Sequence, residues 1–99
     1  MAEPPHLDPL IHAPVRLAVM SALVGVEAMA FTELRDATGT TDGNLSAHLQ
    51  KLEEAGYVAV EKSFVGRKPL TTLRLTDPGR AAFLGYLDTL EALLPRRAR

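Results

Sequence analysis

The sequence predicts an α+β protein that is mainly helical and carries one small β-hairpin. Three observations support this class. Apolar residues recur with a helical period in two stretches between residues 14 and 55, the period becomes that of a strand after Gly56, and it is helical again from about residue 77. With 99 residues, of which 46% are hydrophobic, the chain has room for a single compact domain over residues 1–99.

The first predicted helix begins at Pro14, a residue suited to a first helical turn, and covers residues 15–24. A surface helix needs only one apolar stripe, whereas this helix has two. We therefore expect the second stripe, formed by Leu17, Met20 and Val24, to be buried against a partner.

Two further helices follow each other closely between about residues 32 and 55. The first begins at Thr32, its predicted N-cap, and ends before Gly39, which suits the left-handed position after a helix. The second begins after Thr41, another N-cap candidate, and continues until Gly56 interrupts its apolar period. Two helices joined by about three residues, with a glycine in the joint, are typical of a helix-turn-helix.

The segment of about residues 57–75 alternates in polarity, which predicts two β-strands. Gly66 supplies the turn between them, and Pro69 is expected to end their pairing. The stretch from Lys62 to Arg74 contains four basic residues and no acidic one. The hairpin would therefore be a basic wing beside the helix-turn-helix.

The last helix is predicted to begin after Thr76 or Asp77 and to cover about residues 77–94, before Pro95. Its apolar residues have the spacing of a coiled-coil seam. Part of this stripe must pack within the protomer, but unused stripes on the first and last helices would expose a patch of the size that marks an interface. We therefore expect a homodimer, and the predicted interface residues are Leu17, Met20, Val24, Phe83, Leu87, Leu90 and Leu94.

The third helix has a leucine-rich side and an opposite side of small and polar residues. Gly43 on the polar side would allow the close approach of a surface such as the DNA major groove. Asn44 and Gln50 can pair with base edges, and Lys51 can reach a phosphate. A solvated helix face is the alternative, but the order of the elements favours DNA. The predicted DNA-binding residues are Thr41, Asp42, Gly43, Asn44, Ser46, Ala47, Gln50, Lys51, Arg67, Lys68 and Arg74.

The sequence offers no convincing catalytic or metal site. It lacks cysteine, which excludes zinc-thiolate sites and thiol catalysis. His6, Asp8 and His12 lie on both sides of Pro9, which argues against a metal site on one helix, and Ser46 and His48 are two residues apart on one helix and so do not face each other. We expect His48 to be a hydrogen-bonded packing residue at the edge of the core. We expect neither enzymatic activity nor a cofactor.

Two further expectations concern location and partner. The longest apolar stretch is far shorter than the ~20 residues that span a bilayer, and the N-terminus has acid and proline where a secretory signal has a basic region. These features predict a cytoplasmic protein without membrane association. The net charge of −1 gives no overall attraction to nucleic acid, so a winged helix that binds a protein partner is the alternative to one that binds DNA.

Three stretches resemble winged-helix regulators of the ArsR and MarR type. IHAPVRLAVMSAL (residues 11–23) resembles their first helix, NLSAHLQKLEEAGYVAVEK (residues 44–62) their recognition helix and first wing strand, and SFVGRKPLTTLRLTDPGRAAF (residues 63–83) their wing and last helix. The sequence looks closest to the short stand-alone winged-helix regulators of bacteria and archaea. The resemblance implies a winged helix-turn-helix with a three-helix core, a β-wing and a C-terminal dimerisation helix.

The same resemblance implies a sequence-specific transcriptional regulator that binds double-stranded DNA, and we expect it to be a repressor. Because the expected homodimer presents two copies of the third helix, we expect its operator to be an inverted repeat. The resemblance places Ser46, Gln50 and Lys51 at positions used for DNA, and Arg67 and Lys68 at the adjacent minor groove or backbone. Arsenic sensing in ArsR-type proteins uses cysteines, and the longer MarR-type chains have further helices around a ligand pocket. This sequence contains neither feature, so the resemblance leaves a small-molecule effector open.

Overall fold

The computed structural model describes residues 6–95, and the expected domain's residues 1–5 and 96–99 lie outside it. Within the described part, four helices enclose the core together with a three-stranded antiparallel sheet. The elements, in chain order, are α1 (Pro14–Val24), β1 (Met29–Ala30), α2 (Phe31–Thr38), α3 (Asp42–Glu54), β2 (Val58–Val65), β3 (Lys68–Leu75) and α4 (Asp77–Leu93). The predicted α+β winged-helix fold is confirmed. Among residues 6–95, no helix is both long and apolar enough to cross a membrane.

The capping residues predicted from the sequence mark the observed helix ends, except at the start of α2. The side chain of Thr41 accepts a hydrogen bond from the Asn44 backbone N–H at 3.2 Å, as predicted for the N-cap of α3. Thr76 caps α4 in the same way by accepting from the Gly79 N–H at 3.0 Å. Gly39 ends α2 with φ +67°, in the left-handed region that glycine enters without strain.

The exception is the start of α2, which lies one residue before the predicted N-cap Thr32. Ala30 occupies the N-cap position, and its backbone N–H donates to the Glu33 carboxylate at 3.3 Å. Ala30 is also the last residue of β1, so sheet pairing holds it in the extended conformation that an N-cap needs. Tertiary pairing therefore sets this boundary.

The sheet has the strand order β1–β3–β2, and its main hairpin is paired from Val58 opposite Leu75 to Val65 opposite Lys68. Gly66, with φ +64°, occupies the first position of the two-residue turn. The expectation that Pro69 ends the pairing is wrong, because Pro69 lies opposite Phe64 inside the ladder. Proline has no backbone N–H to donate to a neighbouring strand. It is tolerated at position 69 because β1 pairs with β3 only at Thr72 and Leu73, so one edge of β3 is unpaired at Pro69.

A single cluster of buried side chains joins α1, α2, α3, the sheet and α4. Met20 is completely buried and Phe83 is 2% exposed, so both belong to the protomer's own core. This corrects the expectation that they form a dimer interface. The second stripe of α1 is already largely covered by its own chain, since Leu17 and Val24 pack partly against the same core. The buried residues are Ile11, Val19, Met20, Leu23, Leu34, Leu45, Leu49, Leu52, Val58, Leu73, Leu75, Phe83 and Tyr86.

The segment before α1 is fastened to the domain by side-chain hydrogen bonds. The Tyr57 hydroxyl donates to the Asp8 carboxylate at 2.7 Å, and His12 Nδ1 lies 2.9 Å from the Tyr86 hydroxyl oxygen. Asp8 and His12, considered above as metal ligands, therefore have structural partners. The Asp8 hydrogen bond raises the pKa of Tyr57, with burial as the second cause.

Candidate nucleic-acid interface

The face of α3 opposite its buried leucines is open to solvent. Leu45, Leu49 and Leu52 point into the core and fix the rotation of the helix. The structure therefore gathers the helical part of the predicted DNA-binding set on one exposed surface, which we call the α3 face. Its members are Thr41, Asp42, Gly43, Asn44, Ser46, Ala47, Gln50 and Lys51, all of them exposed.

Two residues at the start of the α3 face already have partners within the protein. The Thr41 hydroxyl oxygen is occupied by the N-cap hydrogen bond. The Asp42 carboxylate accepts from Arg35 of α2 at 2.9 Å, and Arg35 also reaches Asp36 at 3.2 Å. The hydrogen bond to Asp42 raises the pKa of Arg35 most, and the bond to Asp36 raises it further. Asp42 therefore connects α2 to α3, and sequence reasoning missed Arg35 because the ion pair bridges the turn of the helix-turn-helix.

His48 anchors the other side of α3 to α1. Its Nδ1 lies 3.0 Å from the guanidinium of Arg16, which also donates to the backbone oxygen of Leu10. Because a guanidinium can only donate, His48 Nδ1 must accept, and the neutral ring then carries its proton on Nε2. Burial lowers the pKa of His48, and the charges of Arg16 and Lys51 lower it further. The expectation of a hydrogen-bonded residue at the core edge agrees with this arrangement.

An open groove of about 670 Å³ lies between α3 and the wing. Ser46 and Gln50 line its helical side, and Lys62 lies on its sheet side. Lys62 is absent from the predicted DNA-binding set. The alternation of the strand could have identified it, because Lys62 is on the same face of β2 as the core residue Val58 and therefore faces α3. The full lining is Phe31, Ser46, Leu49, Gln50, Glu53, Val60, Lys62, Thr71 and Leu73.

The three predicted basic residues of the wing occupy different places. Arg67 is in the turn and Lys68 begins β3, so both exposed side chains lie at the far end of the hairpin. Arg74 is near the base of the hairpin, between the buried Leu73 and Leu75. Because neighbouring strand residues point to opposite faces, Arg74 faces away from α3. This corrects the expectation that Arg74 shares a surface with the α3 face.

The family follows from a comparison with known domains. A model of the winged helix DNA-binding domain matches residues 15–94, which include α1, the helix-turn-helix, the wing and α4. The chain belongs to this family. A winged helix DNA-binding domain is also the simplest account of an exposed α3 beside a basic wing, and the predicted resemblance to winged-helix transcriptional regulators, including the MarR type, is confirmed.

Individual relatives agree with this assignment. The chain is 37% identical over 78 residues to an uncharacterized protein of Methanocaldococcus jannaschii, covering 79% of this chain and 85% of that one. A transcriptional regulator homologue from Pyrococcus horikoshii OT3 has the same fold, with a TM-score of 0.80, 31% identity and coverage of 85% and 83%. The transcriptional repressor CouR, solved bound to a 23-mer DNA duplex, gives a TM-score of 0.72 and 26% identity over 84% of this chain and 58% of CouR.

Proposed function

We propose that this winged-helix protein is a sequence-specific transcriptional repressor that binds an inverted-repeat operator as a homodimer. The observation that carries the proposal is the α3 face, which is exposed over its whole length and combines small residues with hydrogen-bonding ones. The repressor assignment is supported by the likeness to CouR, a repressor solved in complex with a DNA duplex.

Within this proposal, α3 lies in the major groove and its side chains have two kinds of role. Gln50 and Asn44 carry amides that pair with base edges, adenine above all, and so provide specificity. Lys51 at the helix edge neutralises a phosphate and provides affinity independent of sequence. Gly43 and Ala47 present little side chain, which allows the helix backbone to lie close to the bases.

The wing adds charge at a second place along the duplex. Arg67 and Lys68 are exposed at the far end of the hairpin, where they can contact phosphates or a narrow minor groove. The groove between α3 and the wing directs Lys62 toward the same side of the molecule. Lys68 is paired with Val65 and so lies on the face of the hairpin that looks away from α3, from which it can reach the DNA only at the end of the wing. Together these cations provide positive charge near the proposed contact although the net charge is −1.

The dimer contact is proposed on α4. Leu84 and Leu87 are 48% and 38% exposed and lie about 60° apart around α4, and Leu94, 62% exposed, directly follows the last residue of the helix. An apolar stripe of this kind is covered in a two-fold dimer by the same stripe of the second copy. Of the residues expected in the interface, Leu87 and Leu94 form the stripe, and the half-buried Leu90, Leu17 and Val24 remain candidates for its margin.

Two experiments test this function. Sedimentation at micromolar concentration should show a homodimer, and replacing Leu84 and Leu87 with glutamate should give monomers. Ala92→Glu is the matched control, because Ala92 is an exposed residue of α4 outside the stripe. A wild-type protein that sediments as a stable monomer contradicts the dimer.

The second experiment is footprinting on the DNA upstream of the protein's own gene. Two protected half-sites whose centres are ~10 bp apart, one turn of B-DNA, are expected, because both copies of α3 must enter the major groove from one side. If no sequence is protected, and random and genomic DNA bind equally, the protein-interaction alternative replaces DNA recognition.

A further inference from the structure

The end of the wing is apolar as well as basic. Phe64 is 73% exposed and Val65 is 65% exposed, more than any other large apolar side chain among residues 6–95. The turn residue Arg67 and the strand residue Lys68 lie next to them. We call residues 64–69 the wing tip. Apolar side chains held this far out in solvent contribute nothing to the core, so they are available to a partner outside the protomer.

The charge of the wing favours nucleic acid as that partner. No acidic residue occurs between Lys62 and Leu75, so the charged residues within the hairpin nearest to Phe64 and Val65 are all basic. A second copy of the same positive tip would repel it. Proteins that enter the minor groove combine arginine with inserted apolar side chains such as phenylalanine, which is the composition found here.

The hairpin has the length that such a contact needs. Val60 lines the groove beside α3, and Val65 is the fifth residue after it along β2. At ~3.3 Å per residue, Val65 lies about 17 Å from Val60 and about 10 Å beyond Lys62, the last residue of β2 that lines the groove. Neighbouring major and minor grooves are half of the ~34 Å helical turn apart, which is also about 17 Å. With α3 in the major groove, the wing tip therefore reaches the adjacent minor groove.

The direction of the two side chains completes the geometry. Phe64 is on the face of β2 that looks toward α3, and Val65 is on the opposite face. The wing tip therefore has an apolar side chain on each face of the hairpin. The hairpin is narrow here, because only two residues form the turn between β2 and β3. Such a tip is a wedge, whereas a docking surface for a protein would present both apolar residues on one side.

We propose that the wing tip is an apolar wedge that enters the minor groove beside each half-site and partly unstacks one base step. Phe64 and Val65 contact the unstacked step, and Arg67 contacts the groove or its phosphates. The protein would then read the flank of its operator through deformability, with a preference for pyrimidine–purine steps such as TA. This inference rests on the proposed DNA binding, because it assumes that α3 occupies the major groove.

The test uses the full-length protein and duplexes that carry the footprinted operator. Two duplexes differ only in the flank whose minor groove faces the wing: one has a flexible TA step there and the other has a stiff AA step. A second pair of duplexes carries 2-aminopurine at the same step, which reports unstacking by fluorescence. The wild type should prefer the TA flank by about fivefold and should increase the 2-aminopurine fluorescence. Phe64→Ala should abolish both effects while half-site protection persists, and Phe64→Leu should retain part of both.

Val26→Ala is the matched control, since Val26 is an exposed apolar residue outside the wing and the groove, at 39% exposure. It should leave the flank preference and the fluorescence unchanged. A wild type that protects both half-sites but shows neither flank preference nor increased fluorescence overturns the wedge and leaves the proposed function intact. A change of sedimentation on Phe64→Ala also overturns it, because the tip would then contact a second copy. Absence of any protected half-site contradicts the proposed function itself.

Discussion

Gly79 lies where α4 leaves the sheet, and replacing it with alanine should destabilise the fold strongly. A Cβ atom at this position would be 2.0 Å from the backbone oxygen of Tyr57 and 2.7 Å from its carbonyl carbon. The same oxygen accepts a hydrogen bond from the Thr76 N–H at 3.1 Å, and the Thr76 hydroxyl donates to the backbone oxygen of Gly56. The new methyl group would therefore meet backbone that is held in place from two directions.

The size of the effect follows from the overlap. To reach an ordinary contact of 3.4 Å, the start of α4 and the residue after Gly56 must separate by about 1.4 Å. Overpacking of this kind costs ~1–3 kcal/mol, and here the upper end applies because neither partner is a flexible side chain. The higher helix propensity of alanine relative to glycine offsets up to ~1 kcal/mol of this cost. We expect a net loss of about 2 kcal/mol, which lowers the Tm of a domain of this size by ~8–16 °C.

Gly85 supplies the matched control in the same helix. No atom lies within 4 Å of a Cβ placed there, so Gly85→Ala should gain ~0.5–1 kcal/mol from helix propensity alone. Thermal unfolding followed by circular dichroism measures both variants, at one fixed protomer concentration because dimerisation shifts the Tm. A Gly79→Ala protein as stable as Gly85→Ala would refute the argument that α4 packs through this contact.

Three further predictions follow from the proposed interface and its supports. Gly43→Ala should leave stability unchanged or slightly higher, because its Cβ meets nothing within 4 Å, yet weaken operator binding measured by fluorescence anisotropy, because the methyl group projects from the α3 face. Since the pKa of His48 is lowered on folding, the unfolded chain takes up this proton first as pH falls below about 6.5, and stability decreases there. In urea unfolding, His48→Gln should therefore lose less stability than the wild type between pH 7 and 5, and an equal loss in both would contradict this. Arg67→Ala combined with Lys68→Ala should reduce the salt dependence of binding by up to about two units of slope, about one per lost phosphate contact, and an unchanged slope would exclude the wing from the DNA.

The elements that local signals define were predictable from the sequence. Pro14 starts α1, Thr41 caps α3 and Gly39 ends α2, each through contacts within a few residues of itself. The two-residue β1 was not predictable, because two residues carry no alternation. It forms only through pairing with β3, and this pairing in turn moves the start of α2.

The parts of the site that lie within a single helix or strand were predictable from the sequence, whereas contacts between elements were not. The exposed face of α3 follows from its leucine period, and the alternation of β2 places Lys62 on the face of Val58. That this face of the sheet looks toward α3, and that Arg74 looks away from it, became clear only from the packing of the sheet against the core. Met20 and Phe83 were predicted in an interface because a helical apolar period does not show whether a residue is buried within its own protomer or against a second copy. Arg35 acts through its ion pair with Asp42 across a turn, which sequence spacing does not reveal.

The central claim is that the α3 face reads bases in the major groove, and the ratio of operator to random-DNA affinity tests it most directly. Gln50→Ala should weaken operator binding by ~1–3 kcal/mol and leave random-DNA binding almost unchanged, so that the ratio falls about fivefold or more. Lys51→Ala, its neighbour on the same exposed surface, should weaken both about equally and preserve the ratio. If Gln50→Ala keeps the wild-type ratio as Lys51→Ala does, α3 does not read bases at this position and the account of specificity is wrong.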